Sequence, residues 1–230
     1  MATTKRRVVL LAGASGLVGR EILTRLLADK SVQVVHCIGR RSLATRHPKL
    51  SSHVVDFAAL AELPAIDECF IALGTTIKAA GSQAAFRAVD LDAVVAVAQA
   101  ARSAGATKFG VVSAMGADAK SSVFYNRVKG EMELALTQMS LASLVVARPS
   151  LLDGDRAALK QSHRAGEGLG LLLARRMHRL IPLNYRAILA KDVAHALIRS
   201  VRAAKPGVRT LLSGEMQGAA NHAESRNQYP

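Results

Sequence analysis

The stretch Arg7–Leu23, "RVVLLAGASGLVGREIL", decides the fold. It opens on an unbroken aliphatic run, Val8–Ala12, of the kind found in a strand buried on both faces. From Leu17 to Lys30 the apolar residues recur at helical spacing. Between strand and helix, Gly13, Gly16 and Gly19 stand at three-residue intervals. In such a strand–turn–helix, one glycine permits the tight turn, one lets the backbone approach a pyrophosphate, and one lets helix and strand pack closely. The first turn of the helix adds N–H groups and a positive dipole end, both suited to phosphate. A dinucleotide cradle is therefore expected from Gly13, Ser15, Gly16, Leu17, Val18 and Gly19, with Ser15 adding a hydroxyl.

Beyond this unit, short β-branched runs alternate with longer helical patterns. Strands are expected over 32–39, 52–57, 68–74, 108–114, 143–152 and 208–214. Helices are expected over 82–106, as one piece or two, and over 123–140, 167–181 and 191–204. This alternation predicts an α/β fold, a Rossmann-type doubly wound parallel sheet with helices on both faces. A single domain over 1–216 is expected, with a small C-terminal substrate lobe from 153–207 and a polar, frayed tail over 217–230.

Half of the 230 residues are apolar and only 3% aromatic, so the core is built from Ala, Val, Leu and Ile. The net charge is +14, concentrated in 156–209, where twelve Lys/Arg face only Glu167 and Asp192. Such a field favours anions, and an acidic substrate is one expectation. Nucleic acid is disfavoured, because the basic segment has no aromatic stacking platform and no recognition motif. Cys37 and Cys69 lie in strand runs without metal-ligand spacing, and His163, His178 and His195 are not grouped, so no metal is expected. Two buried free thiols fit a reducing compartment. The short apolar run after the basic start, and the lack of a long apolar segment elsewhere, predict a soluble cytoplasmic protein without a membrane span.

The end of the second strand reads Ile38-Gly39-Arg40-Arg41-Ser42, and no Asp or Glu occurs between Lys30 and Asp56. A dinucleotide fold that selects NAD(H) places a carboxylate near this point to bond the ribose hydroxyls. Two guanidiniums instead match a 2′-phosphate through paired, charge-assisted hydrogen bonds, so NADP(H) is the expected cofactor. Asp56-Phe57, at the end of the third strand, is a candidate edge for the adenine. Leu73-Gly74-Thr75-Thr76, after the fourth, is suited to pass beneath the riboses. Arg148-Pro149, after the sixth, is a candidate wall of the cleft.

Tyr125 and Lys129 form a YxxxK pair on an expected helix, so phenol and ammonium share one face. An ammonium beside a phenol stabilises the phenolate, which suits the hydroxyl to proton transfer near neutral pH. Ser113 ends the fifth strand twelve residues upstream, placed to donate to a carbonyl oxygen. Gly13/Gly16/Gly19, Arg40-Arg41, Ser113, Tyr125 and Lys129 together resemble the short-chain dehydrogenase/reductase superfamily. "GTT", "VVSAMGADAKSSVFYNRVKGEME" and "ARPSLLDGDR" resemble its atypical, NADPH-binding branch, typified by the Tat-interacting, metastasis-suppressor-like oxidoreductases and their bacterial relatives. The resemblance runs from about residue 7 to 214 and is most specific over 110–156. It implies NADP(H) at the carboxyl edge of the sheet and a catalytic triad of Ser113, Tyr125 and Lys129; a small-molecule carbonyl substrate is the expectation built on these residues, and a homodimer is a further one that the sequence leaves open. Leu73–Thr76 replaces the Asn-Asn-Ala-Gly segment of typical members, and the C-terminal substrate region is short. A second expectation therefore stands beside the reductase: an NADP(H)-binding redox sensor with little or no catalysis.

Overall fold

A computed structural model describes residues 6–153 and 182–218. The expected helix over 167–181, Arg175-Arg176, His163, His178 and most of the tail lie outside the described residues. The chain begins with β1 (Arg7–Ala12), α1 (Leu17–Ala28), β2 (Val32–Gly39), β3 (Leu50–Val54) and β4 (Glu68–Ile71). After one short helical turn, α2 (Ile77–Ala80), come α3 (Gln83–Arg87), a π-turn over Ala88–Asp92 and α4 (Ala93–Ser103). Then follow β5 (Lys108–Val112), α5 (Phe124–Gln138), β6 (Ser143–Arg148), β7 (Leu152–Asp153), β8 (Ile188–Leu189), α6 (Ala190–Ala203), β9 (Gly207–Leu212) and α7 (Ser213–Met216).

Seven strands form one parallel sheet in the order β3-β2-β1-β4-β5-β6-β9. The chain starts in the middle, winds out to β3, then returns past β1 to β4 and outward again. Strand order thus reverses between β1 and β4, and a crevice opens at their carboxyl ends. Each sheet face carries its own core. On one, Ile22 and Leu26 of α1 meet Val193, Leu197 and Val201 of α6; on the other, Val94 and Val97 of α4 meet Val128, Met132 and Leu136 of α5. Gly110 in β5 makes the α6 approach possible: a Cβ there would lie 2.8 Å from Val201 and 3.1 Å from Leu197.

Several boundaries differ from the sequence reading, each for a local reason. The third strand ends at Val54 because Asp56 starts a turn, its Oδ1 accepting from Ala58 N–H at 3.0 Å. The sixth stops at Arg148, since Pro149 has no N–H to donate. The chain then leaves the sheet, and Leu152–Asp153 pairs with Ile188–Leu189 in a separate two-stranded ribbon. The helix over 82–106 is divided by the π-turn, which buries Asp90 and Leu91. The first two tail residues are fastened: Gln217 Nε2 donates to Arg186 O at 3.3 Å, and Gly218 N–H to Asp192 Oδ2 at 3.2 Å.

Candidate cofactor cleft and its buried ion pairs

The crevice at the switch point is a cleft of about 910 Å³, near the upper end of the usual size of small-molecule sites, about 300–1,000 Å³. Its floor is the β1–α1 turn. Gly13 takes φ +90°, and a Cβ on it would lie 2.4 Å from Ala72 O at the end of β4. A Cβ on Gly19 would lie 2.0 Å from Gly13 O, so this glycine lets α1 sit on its own turn. Gly16 differs: a Cβ there meets only ordinary contacts, the nearest at 3.4 Å, and Gly16 lines the cleft. Packing within the chain accounts for the outer glycines. The middle one leaves open the space that a pyrophosphate needs to reach the first-turn N–H groups of α1.

The cleft gathers most of the residues singled out in the sequence. Gly13, Ser15, Gly16, Leu17, Val18, Arg40, Arg41, Phe57, Leu73, Gly74, Thr75, Thr76, Ser113, Tyr125 and Lys129 all line it. Four do not. Gly19 packs beneath the turn, Asp56 closes its own turn, Arg148 is turned toward α5, and Pro149 O accepts from Met115 N–H at 2.9 Å. Lys78 of α2 lines the cleft as well and was not foreseen. Arg40, Arg41 and Lys78 are exposed and have no ion pair among the described residues. Among the described residues the one lining carboxylate, Asp90, is taken by Lys129. The free charge of this cleft is therefore positive, as a polyanionic dinucleotide requires. These residues fit an NAD(P)H molecule.

α5 carries three chemical groups at four-residue spacing: Tyr125, Lys129 and Glu133. The Tyr125 ring packs at 5.6 Å, tilted, on the buried ring of Phe86 in α3. Lys129 Nζ lies 2.7 Å from Asp90 Oδ1, while Thr75 N–H donates to Asp90 Oδ2 at 2.9 Å. Asp90 and Lys129 are only 1% and 3% exposed, so the pair is sealed and ties α5 to the loop after β4. The π-turn directs Asp90 inward here.

Glu133 holds the next group. Ser113 Oγ donates to Glu133 Oε1 at 2.5 Å. Arg148 Nε donates to Oε1 at 3.0 Å and Oε2 at 3.2 Å, and Arg148 Nη2 to Oε2 at 2.5 Å. This fork raises the Arg148 pKa, chiefly through the hydrogen bond to Glu133. β5–β6 pairing brings the groups together: Val112 is in register with Ala147, and Ser113 N–H donates to Ala147 O at 2.7 Å. Gly130, between Lys129 and Glu133, lets the loop after β5 lie on α5, where a Cβ would be 2.1 Å from Ala119 N. Asp90 and Glu133 were missed in the sequence. An acid every few residues on a helix reads as solvated surface, and only the four-residue spacing from Lys129 to Glu133 hinted otherwise.

Cys37 also borders the cleft, with its thiol pKa pushed up to about 12 by burial; burial raises Cys69 as well. Among the described residues, no three His, Cys, Asp or Glu side chains are grouped to hold a metal, and no helix is long and apolar enough to cross a membrane.

Residues 13–170 match the protein family described as NAD(P)H-binding. The chain is 34% identical to the protein HTATIP2 of Rattus norvegicus, across 95% of this chain and 88% of the relative. It is 37% identical to the protein fmp52, mitochondrial, of Emericella nidulans, across 64% of this chain and 68% of the relative. Among solved structures, a short chain dehydrogenase family protein from Francisella tularensis subsp. tularensis SCHU S4 superimposes with a TM-score of 0.66 at 13% identity, covering 91% of this chain and 98% of that one. At that identity the likeness is one of fold.

Proposed function

The chain belongs to the NAD(P)H-binding family as an atypical short-chain dehydrogenase/reductase, and on that premise we propose that it is an NADP(H)-dependent oxidoreductase that reduces a carbonyl with Tyr125 as proton donor. The observation that carries the proposal is the meeting of Tyr125 and Lys129 with Arg40, Arg41 and the glycine turn in one cleft. Bound nicotinamide would supply the hydride. The glycine turn and the α1 N-terminus would hold the pyrophosphate, with Arg40 and Arg41 on the 2′-phosphate. Phe57 would flank the adenine, and Leu73–Thr76 would run beneath the riboses.

Tyr125 would give its phenolic proton to the substrate oxygen, and the adjacent Lys129 ammonium would stabilise the phenolate left behind. Asp90 fixes the lysine's place while sharing its charge. Ser113 borders the same space and would orient the substrate. The small basic lobe, a homodimer and an acidic substrate belong to this proposal too. So does the cytoplasm, favoured by two free buried thiols; the name of the Emericella relative makes cell fractionation the test of compartment.

Tyr125→Phe should lower NADPH-dependent carbonyl reduction by about 10²-fold or more while leaving NADPH affinity within about twofold. Retained turnover in this variant would reject Tyr125 as donor. The rival reading, a redox sensor, draws on the sealing of both Lys129 and Ser113 in buried networks. It predicts tight NADPH binding with no carbonyl-dependent NADPH oxidation across a broad substrate panel.

A further inference from the structure

The side chain expected to donate from the end of β5 already directs its hydroxyl proton to Glu133. Arg148 donates to both oxygens of Glu133, through Nε at 3.0 and 3.2 Å and Nη2 at 2.5 Å, and a carboxylate forked by a guanidinium in this way accepts hydrogen bonds and has none to give. Ser113 must then be the donor in its bond to Glu133 Oε1. A serine hydroxyl carries one proton and two lone pairs. What Ser113 has left for the cleft is lone pairs, and these repel a carbonyl oxygen but accept a hydroxyl.

We propose that Glu133, clamped by Arg148, is a positioning residue that makes Ser113 a hydrogen-bond acceptor, and that the substrates are carbonyl compounds bearing a neighbouring hydroxyl. The carbonyl oxygen takes the proton of Tyr125 while the vicinal hydroxyl donates to Ser113. The substrate assignment rests on the reductase reading above; the place of the Ser113 proton does not. The network is built for this purpose in a costly position. Ser113 and Glu133 are 5% and 9% exposed, and a buried hydroxyl facing the wrong group would leave a polar atom unpaired. Arg148, foreseen as a wall of the cleft, acts at one remove through Glu133.

Glu133→Gln inverts the arrangement without changing its shape. Arg148 keeps the amide oxygen, the amide NH₂ turns to Ser113, and the serine proton is released toward the cleft. The test compares NADPH-dependent reduction of acetoin and butan-2-one by wild type, Glu133→Gln, Ser113→Ala and the double variant, with NADPH affinity measured for each as the control of folding. The acetoin/butanone ratio of kcat/KM should fall about tenfold in Glu133→Gln, mainly through KM, and Glu133→Gln should change nothing further once Ser113 is Ala. A ratio unmoved in Glu133→Gln with turnover intact would overturn the proposal and leave the reductase reading standing. Wild type that reduces no carbonyl would reject the reductase reading and, with it, the substrate class. The Ser113 proton is read without turnover, as a slowly exchanging downfield hydroxyl resonance in the ¹H spectrum. It should be present in wild type and lost in both Ser113→Ala and Glu133→Gln; its absence from wild type would overturn the role of Glu133.

Discussion

The three glycines of the first turn show how one residue type can serve fold and ligand within seven positions. A Cβ at Gly19 would sit 2.0 Å from a backbone oxygen, and backbone cannot give way as a long side chain can. Gly19→Ala should cost about 3 kcal/mol or more of stability in a denaturant titration. Gly16→Ala meets nothing closer than 3.4 Å, so its cost should stay near the 1 kcal/mol of a helix-cap change while NADPH affinity drops at least tenfold. Equal stability losses at both positions would show that the middle glycine, too, serves packing. The motif and its three roles were readable in the sequence, but the close approach of Gly13 to Ala72 at the end of β4 was not, because it joins segments far apart in the chain.

At the level of elements, the alternation of apolar runs placed every strand of the main sheet to within a few residues. Parallel strands buried on both faces leave that signal because neither face tolerates polar residues. The failures lie where tertiary contact overrides local pattern. The π-turn of Ala88–Asp92 and the β7–β8 ribbon have no period of their own, and the roles of Asp90 and Glu133 depend on strands brought together from far apart in the chain. The outer pair of strands carries a titrating contact. His36 on β2 stacks on His53 of β3, with ring centroids 5.7 Å apart. Burial first, and then the charge of His53, lower the His36 pKa below 6.5. The folded protein therefore resists a proton that the unfolded chain accepts. This contribution to stability is complete above pH 6.5 and is lost as pH falls toward the lower folded value. The thermal midpoint should drop between pH 7.5 and 5.5, and His36→Gln should flatten part of that slope; an unchanged slope would remove His36 as its source.

Across the whole molecule, strand order reversal makes one crevice, and the chain's charge makes that crevice cationic. Arg40 and Arg41 from the β2 side and Lys78 from the β4 side border it, and Lys129 neutralises Asp90, the one carboxylate that lines it among the described residues. The expectation of NADP(H) rests on two arginines where a carboxylate could have stood. The balance of charge around them needed the structure. The most direct measurement is calorimetric titration of NADPH and NADH into wild type and into the Arg40→Asp/Arg41→Ala variant. Wild type should bind NADPH at least tenfold more tightly than NADH, and the double substitution should erase that preference by weakening NADPH alone. Equal affinity of wild type for the two cofactors, or an equal loss for both in the variant, would contradict the assignment of this cleft to NADP(H).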